Sequence, residues 1–158
     1  MQQLFIMRHG EALFDATDAQ RSLSDQGHRQ AAETAQWLAI HAGGRKVRLL
    51  VSPFKRAQQT AHHVEKALAV PIETQPWLTP DVPVNTIMAC WDKFWMAADH
   101  DQCWIWVSHM PLVGGMGHYF SEGRGRGDAF ATAEVAVYDA EVWAAGCADF
   151  RMRYRPHM

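Results

Sequence analysis

Apolar residues fall along the chain in short runs and helical stripes that alternate. Gln3–Met7 is a compact apolar run bounded by polar residues, the pattern of a buried strand. Ser24 then stands as an N-cap, and Ala31, Ala35 and Leu38 recur at helical spacing before Gly43-Gly44 stops the helix. Val47–Val51 reads as a second strand. It runs into Ser52-Pro53, where a proline in the first helical turn is expected to open a helix to about Leu68. Pro71, Pro76, Pro80 and Pro83 reduce 70–83 to one short strand and an irregular loop. Ile87, Met88, Trp91, Phe94 and Trp95 make the apolar face of a helix over Asn85–Ala98. Cys103–Val107, rich in Trp, Ile and Val, predicts a central strand, followed by Ser108-His109-Met110-Pro111 and a helix to about Phe120. Gly123–Gly127 reads as a surface loop, and Ala131–Tyr138 with Asp149–Tyr154 as a strand pair. Strands alternating with helices before a terminal hairpin predict an α/β fold, a three-layer α/β/α sandwich around a mostly parallel sheet. No repeat, low-complexity stretch or linker interrupts it, so 1–158 is expected to form one domain.

Composition narrows the function classes. A chain of 158 residues, 48% hydrophobic, is long enough to bury a core without staples. Fifteen Lys+Arg against seventeen Asp+Glu leave a net charge of −2. That balance argues against a basic nucleic-acid binder and against an acidic disordered chain. No apolar run approaches the roughly 20 residues of a membrane span. The opening apolar run meets Arg8 and His9 too soon for a signal-peptide core. Cys90, Cys103 and Cys147 are odd in number and widely spaced, matching neither a disulfide framework nor a zinc pattern. Three core thiols in a reducing cytoplasm are the expectation.

Chemistry concentrates in three segments: Met7-Arg8-His9-Gly10-Glu11, Ser52-Pro53-Phe54-Lys55-Arg56 and Val107-Ser108-His109-Met110-Pro111. Each lies where a predicted strand ends. Ligands of open α/β sheets bind at the carboxyl ends of strands, so two histidines and two arginines would meet at one edge. Arg56 falls in the first turn of its helix, where free N–H groups and the helix dipole already favour an anion. The residues alone therefore describe an anion site that contains histidines.

At these residues the chain resembles the histidine phosphatase superfamily. Arg8-His9-Gly10 after the first strand, Ser52-Pro53-x-x-Arg56-Ala57-x-x-Thr60-Ala61, and Ser108-His109 after the Trp-rich strand match its three motifs in order. Phe5–Glu11, Leu49–Phe54 and Ser108–Gly114 look most like the SixA-type phosphohistidine phosphatases, over residues 1–120 and more loosely beyond. The resemblance implies a phosphoglycerate mutase-like fold and a role for each residue. His9 would attack phosphorus as a neutral imidazole and carry a transient phosphohistidine. Arg8 and Arg56 would clamp the phosphoryl oxygens. His109, protonated by anionic surroundings, would add a donor, and Arg21 would join the same pocket. No metal or other cofactor is implied, because positioning and charge stabilisation carry phosphoryl transfer.

Relatives acting on alkoxide leaving groups carry a carboxylic acid on a long insertion between the second and third motifs. Here only 53 residues separate Arg56 from His109 (109 minus 56), leaving little room for a lid. Asp81 and Glu11 are the nearest candidate acids, though a turn residue and a first-turn helix or loop acid, respectively, describe them slightly better. An imidazole leaving group is less basic than an alkoxide and needs less help. The expected substrate is therefore a phosphorylated histidine-containing signalling or carrier protein, such as a histidine-phosphotransfer domain, met by a monomer without nucleic acid or membrane. A small-molecule phosphomonoesterase and a non-catalytic phosphate-recognition module are the alternatives. His62-His63 with Glu65 read as a solvated helix face, and Trp91, Trp95, Trp104 and Trp106 as core. A basic rim for an acidic partner is the functional alternative for Gly123–Gly127.

Overall fold

A computed structural model describes residues 1–123 and 127–157. Its elements run β1 (Gln2–Arg8), α1 (Asp25–Ala42), β2 (Val47–Val51), α2 (Lys55–Leu68), β3 (Ile72–Thr74), α3 (Val84–Trp95), β4 (Cys103–Ser108), α4 (Leu112–Glu122), β5 (Val135–Ala140) and β6 (Asp149–Tyr154). The strands form one six-stranded sheet in the order β3-β2-β4-β1-β5-β6. The first four are mutually parallel, and β5 and β6 close one side as an antiparallel pair. The sheet is thus mixed and mostly parallel, within an α/β fold.

Side chains alternate across a strand, and here the alternation divides two cores. Phe5, Met7, Leu49, Val51, Ile105 and Val107 face α1 and α2, whose Ala35, Leu38, Ala57, Ala61 and Val64 pack on them. Leu4, Ile6, Leu50, Trp104 and Trp106 face α3 and α4, meeting Ile87, Trp91, Val113, Met116 and Phe120. Small residues on the first pair of helices allow close approach, while indoles fill the second layer. Trp91 stands edge-on to Trp104 and Trp106, with ring centroids 4.9 and 5.0 Å away. Burial on both faces is what a parallel sheet requires, and it explains the near-continuous apolar runs of β1, β2 and β4.

Several boundaries differ from the sequence pattern. Pro53 does not lie in the first helical turn. Pro53 and Phe54 form a bend, with Phe54 as the N-cap of α2, while the Ser52 hydroxyl accepts the Phe54 N–H at 3.2 Å. α3 stops at Trp95 rather than Ala98, and β5 begins at Val135 rather than Ala131. There the Glu134 carboxylate accepts the Ala131 N–H at 2.7 Å and bends residues 131–134 into a turn with Ala133 at φ 58°. Cys103 is buried, but Cys90 is half-buried and Cys147, in the turn before β6, is exposed, so the three are not all core thiols. His62 is exposed beside Glu65, whereas His63 is partly buried and hydrogen-bonds His28 at 3.0 Å. Trp91, Trp104 and Trp106 are fully buried, and Trp95 half-buried. Arg124, Gly125 and Arg126 of the Gly/Arg loop lie outside the described residues.

Because β1, β2 and β4 run in one direction, Arg8, Val51 and Ser108 end at the same edge. Arg8 pairs in register with Ser108, and Val51 with Val107. The chain just beyond stays stitched: His9 N–H donates to the Ser108 carbonyl, and Ser52 N–H to the Val107 carbonyl, each at 3.0 Å.

Candidate active site

His9 leaves the end of β1 and is 6% exposed. Its Nδ1 lies 2.7 Å from the Gly10 carbonyl, which can only accept, so Nδ1 carries the ring proton. Nε2 therefore presents a lone pair, and it accepts from Arg56 Nε–H at 3.2 Å. Burial, then the charges of Arg56, Arg8 and Arg21, hold the imidazole down at about 4 against the Gly10 hydrogen bond. A neutral ring results, whose one lone pair, on Nε2, is held by Arg56. Its backbone is fixed from α2: Gly10 N–H donates to Thr60 Oγ1, whose hydroxyl donates to the Arg56 carbonyl, at 3.0 and 2.8 Å.

Arg56, in the first turn of α2, is 4% exposed and uses every nitrogen. Besides the bond to His9, Nη1 donates to the Asp18 carbonyl and Nη2 lies 3.3 Å from the Asp18 carboxylate. Arg21 Nη1 reaches the same carboxylate oxygen at 3.5 Å, while its Nε–H donates to the Leu13 carbonyl and its guanidinium covers the Phe14 ring. Arg8, half-buried, donates from Nη1 to the Phe130 carbonyl at 2.6 Å, and its Nε has no partner. Burial, followed by the mutual repulsion of Arg8 and Arg56, lowers the Arg8 pKa. The geometry brings together all five residues that the sequence pointed to: Arg8, His9, Arg21, Arg56 and His109.

His109 is 1% exposed, with its ring 5.1 Å from that of His9. The expectation of a protonated His109 does not hold for this pocket. Burial first, then His9, Arg56, Arg8 and Arg21, drive it down to about 2, and the charges around it are cationic rather than anionic. It can donate while neutral. Ser52 Oγ accepts from Phe54 N–H and shares a hydrogen bond with His109 Nε2 at 2.7 Å, in which either atom can donate. When the hydroxyl donates, the ring proton sits on Nδ1, which is buried without a protein partner.

The two candidate acids are placed otherwise. Glu11 accepts the Ser24 hydroxyl at 2.8 Å, and that hydroxyl caps α1 by accepting Gly27 N–H at 3.0 Å. Asp81 is exposed, on the rim of a cavity of about 300 Å³ that also touches Pro111 and Leu112. Among the described residues, no group of three or more His, Cys, Asp or Glu side chains stands together as a metal site.

Residues 4–79 match the profile of the histidine phosphatase superfamily (branch 1). The phosphohistidine phosphatase SixA of Escherichia coli (strain K12) is 39% identical over 118 residues, covering 71% of this chain and 70% of that protein. The chain belongs to the histidine phosphatase superfamily. It is a phosphatase, a hydrolase. A SixA homolog of Haemophilus influenzae (strain ATCC 51907 / DSM 11121 / KW20 / Rd) is 36% identical over 121 residues, 70% of this chain and 72% of the homolog. The structure of the protein histidine phosphatase SixA complexed with tungstate superposes with a TM-score of 0.83 at 32% identity, covering 98% of this chain and 97% of that one.

Three residues of this superfamily site escaped the sequence reading: Asp18, Ser52 as a partner of His109, and Thr60 as the clip on Gly10. Ser52 and Thr60 lie within the second motif, so their presence was visible but not their targets. Asp18 sits in a single 3-10 turn, Asp18–Gln20, with nothing in its flanks to announce it.

Proposed function

We propose that this superfamily member removes the phosphoryl group from phosphohistidine on a protein, through a covalent intermediate on His9 Nε2. The observation that carries the reading is the state of His9: neutral, with Nδ1–H held by the Gly10 carbonyl and the Nε2 lone pair turned to Arg56 among three arginines. Nε2 attacks phosphorus as the phosphorus–nitrogen bond of the substrate breaks. A proton on the other nitrogen of the substrate ring lets it leave as neutral imidazole. His9 then bears phosphorus on Nε2 and the proton on Nδ1, so it is an imidazolium and itself a neutral leaving group. Water attacks next, the Nε2–phosphorus bond breaks, and both protons of water depart with inorganic phosphate. No carboxylic acid is needed at either step, which fits the engagement of Glu11 with Ser24 and the exposure of Asp81.

Arg56 caps the Nε2 lone pair at rest, and an arriving phosphoryl oxygen takes over its Nε–H. Arg8 Nε–H and His109 Nδ1, the two buried atoms of the site without partners, are suited to the remaining oxygens, and Arg21 adds charge. Leaving such donors unpaired costs about 1–3 kcal/mol each, and an anion recovers it. Tungstate, with which the SixA relative is complexed, is an anion of the same tetrahedral form. The short span between Arg56 and His109 suits a phosphoryl group offered on the surface of a cytoplasmic signalling or carrier protein, met by a monomer. Incubation with a phosphorylated histidine-phosphotransfer domain should release phosphate faster than any sugar, nucleotide or amino-acid phosphate in a panel. A small ester turned over with ordinary enzymic kcat/KM, beside an inert phosphohistidine protein, would replace this reading with a phosphomonoesterase.

A further inference from the structure

We propose that Asp18 is the counter-charge of the arginine clamp, holding phosphate affinity down so that product leaves; this rests on the phosphatase reading above. Asp18 bonds Arg56 through both its carbonyl and its carboxylate, and the same carboxylate oxygen reaches Arg21. The Asp18 side chain is 61% exposed while that of Arg56 is 5% exposed, so a surface acid reaches the outer edge of a buried base. Its carbonyl takes Nη1 and its carboxylate meets Nη2 at 3.3 Å, whereas Nε–H is the atom that faces His9. The carboxylate therefore bonds the guanidinium through a nitrogen other than the one on His9.

Charge decides what this does. Arg8, Arg21 and Arg56 put three positive charges around two neutral histidines. Inorganic phosphate at neutral pH carries one to two negative charges, and three unopposed guanidiniums would retain it. Asp18 cancels one of them. A carboxylate that only positioned the arginines would act in the opposite sense, because its loss would splay the clamp and weaken anion binding. Asp18→Asn separates these two roles: the amide oxygen still accepts from Arg56 Nη2, and only the charge is lost.

The experiment is titration of the intact chain with inorganic phosphate, directly by calorimetry and as an inhibitor during turnover. It compares the parent with D18N and D18A at low and high salt, with D18S in place of D18A should that variant not fold. For a dianion one side chain away in a largely aqueous setting, D18N should lower the phosphate Kd and inhibition constant by about tenfold at low salt. The gap should narrow as salt is added, which a purely structural effect would not do. Phosphate binding that is unchanged or weaker in D18N overturns the inference while leaving the phosphatase reading intact. A parent chain that neither binds nor releases phosphate overturns both.

Discussion

At the scale of single residues, Arg56 holds the site together because its nitrogens are committed in three directions. Nε meets His9, while Nη1 and Nη2 meet Asp18. A lysine ammonium has the charge but not the fork. Arg56→Lys should therefore lower kcat/KM by about 10²- to 10³-fold, the usual cost of one transition-state donor, while the melting temperature changes little. Steady-state kinetics on a phosphohistidine protein checks this, and a lysine variant within a few-fold of the parent would show that charge alone suffices. Arg8, His9, Arg56 and His109 were legible in the sequence because each lies at a strand end or within a recognisable motif, whereas Arg21 was named only through the family resemblance. The protonation of His109 was not legible. It depends first on the burial of the ring and then on the guanidiniums that converge on it, and neither exists before the chain has folded. Asp18 was hidden for the same reason.

At the scale of elements, His9 is aimed by the contact between the end of β1 and the helices α1 and α2. A Cβ on Gly10 would stand 2.5 Å from the Gly27 carbonyl oxygen, so the first turn of α1 presses directly on the loop after His9. Thr60 completes the clip by taking the buried Gly10 N–H. Thr60→Val keeps the shape but leaves that N–H unsatisfied. It should cost about 1–3 kcal/mol of stability by urea unfolding and should lower kcat with it, since Gly10 also holds His9 Nδ1. A stable, fully active T60V would show that the clip is dispensable. The succession of strands and helices along the chain was readable from apolar periodicity, as were β2 and β6 to the residue. Boundaries failed where side chains bond the backbone locally: Ser52 delays α2 to Lys55, and Glu134 delays β5 to Val135.

At the scale of the whole molecule, the site loads the fold with buried neutral histidines. His9 and His109 are both depressed well below an ordinary imidazole, so below about pH 6.5 the unfolded chain binds protons that the native chain refuses. Stability is present above that pH and is lost as pH falls, by about 1.4 kcal/mol per pH unit for each ring, until His9 itself protonates near 4. The urea midpoint should therefore drop between pH 7 and pH 5, and His9→Asn should reduce the slope by one proton. An equal slope in parent and variant would contradict the burial of a neutral His9. The alternation of strands and helices foretold the layers and the parallel centre. It did not foretell strand order, which puts β4 between β1 and β2 and so brings His109 beside His9.

The central claim is that His9 Nε2 takes the phosphoryl group. Rapid quenching at alkaline pH, after mixing the chain with a phosphorylated histidine-phosphotransfer domain, would trap the intermediate for mass and phosphorus–nitrogen NMR analysis. The expected result is one phosphoryl group on His9, bonded to Nε2, and none in His9→Ala, which should also release no phosphate. Phosphate release by His9→Ala at the parental rate, or an adduct on Nδ1 or on another residue, would contradict it.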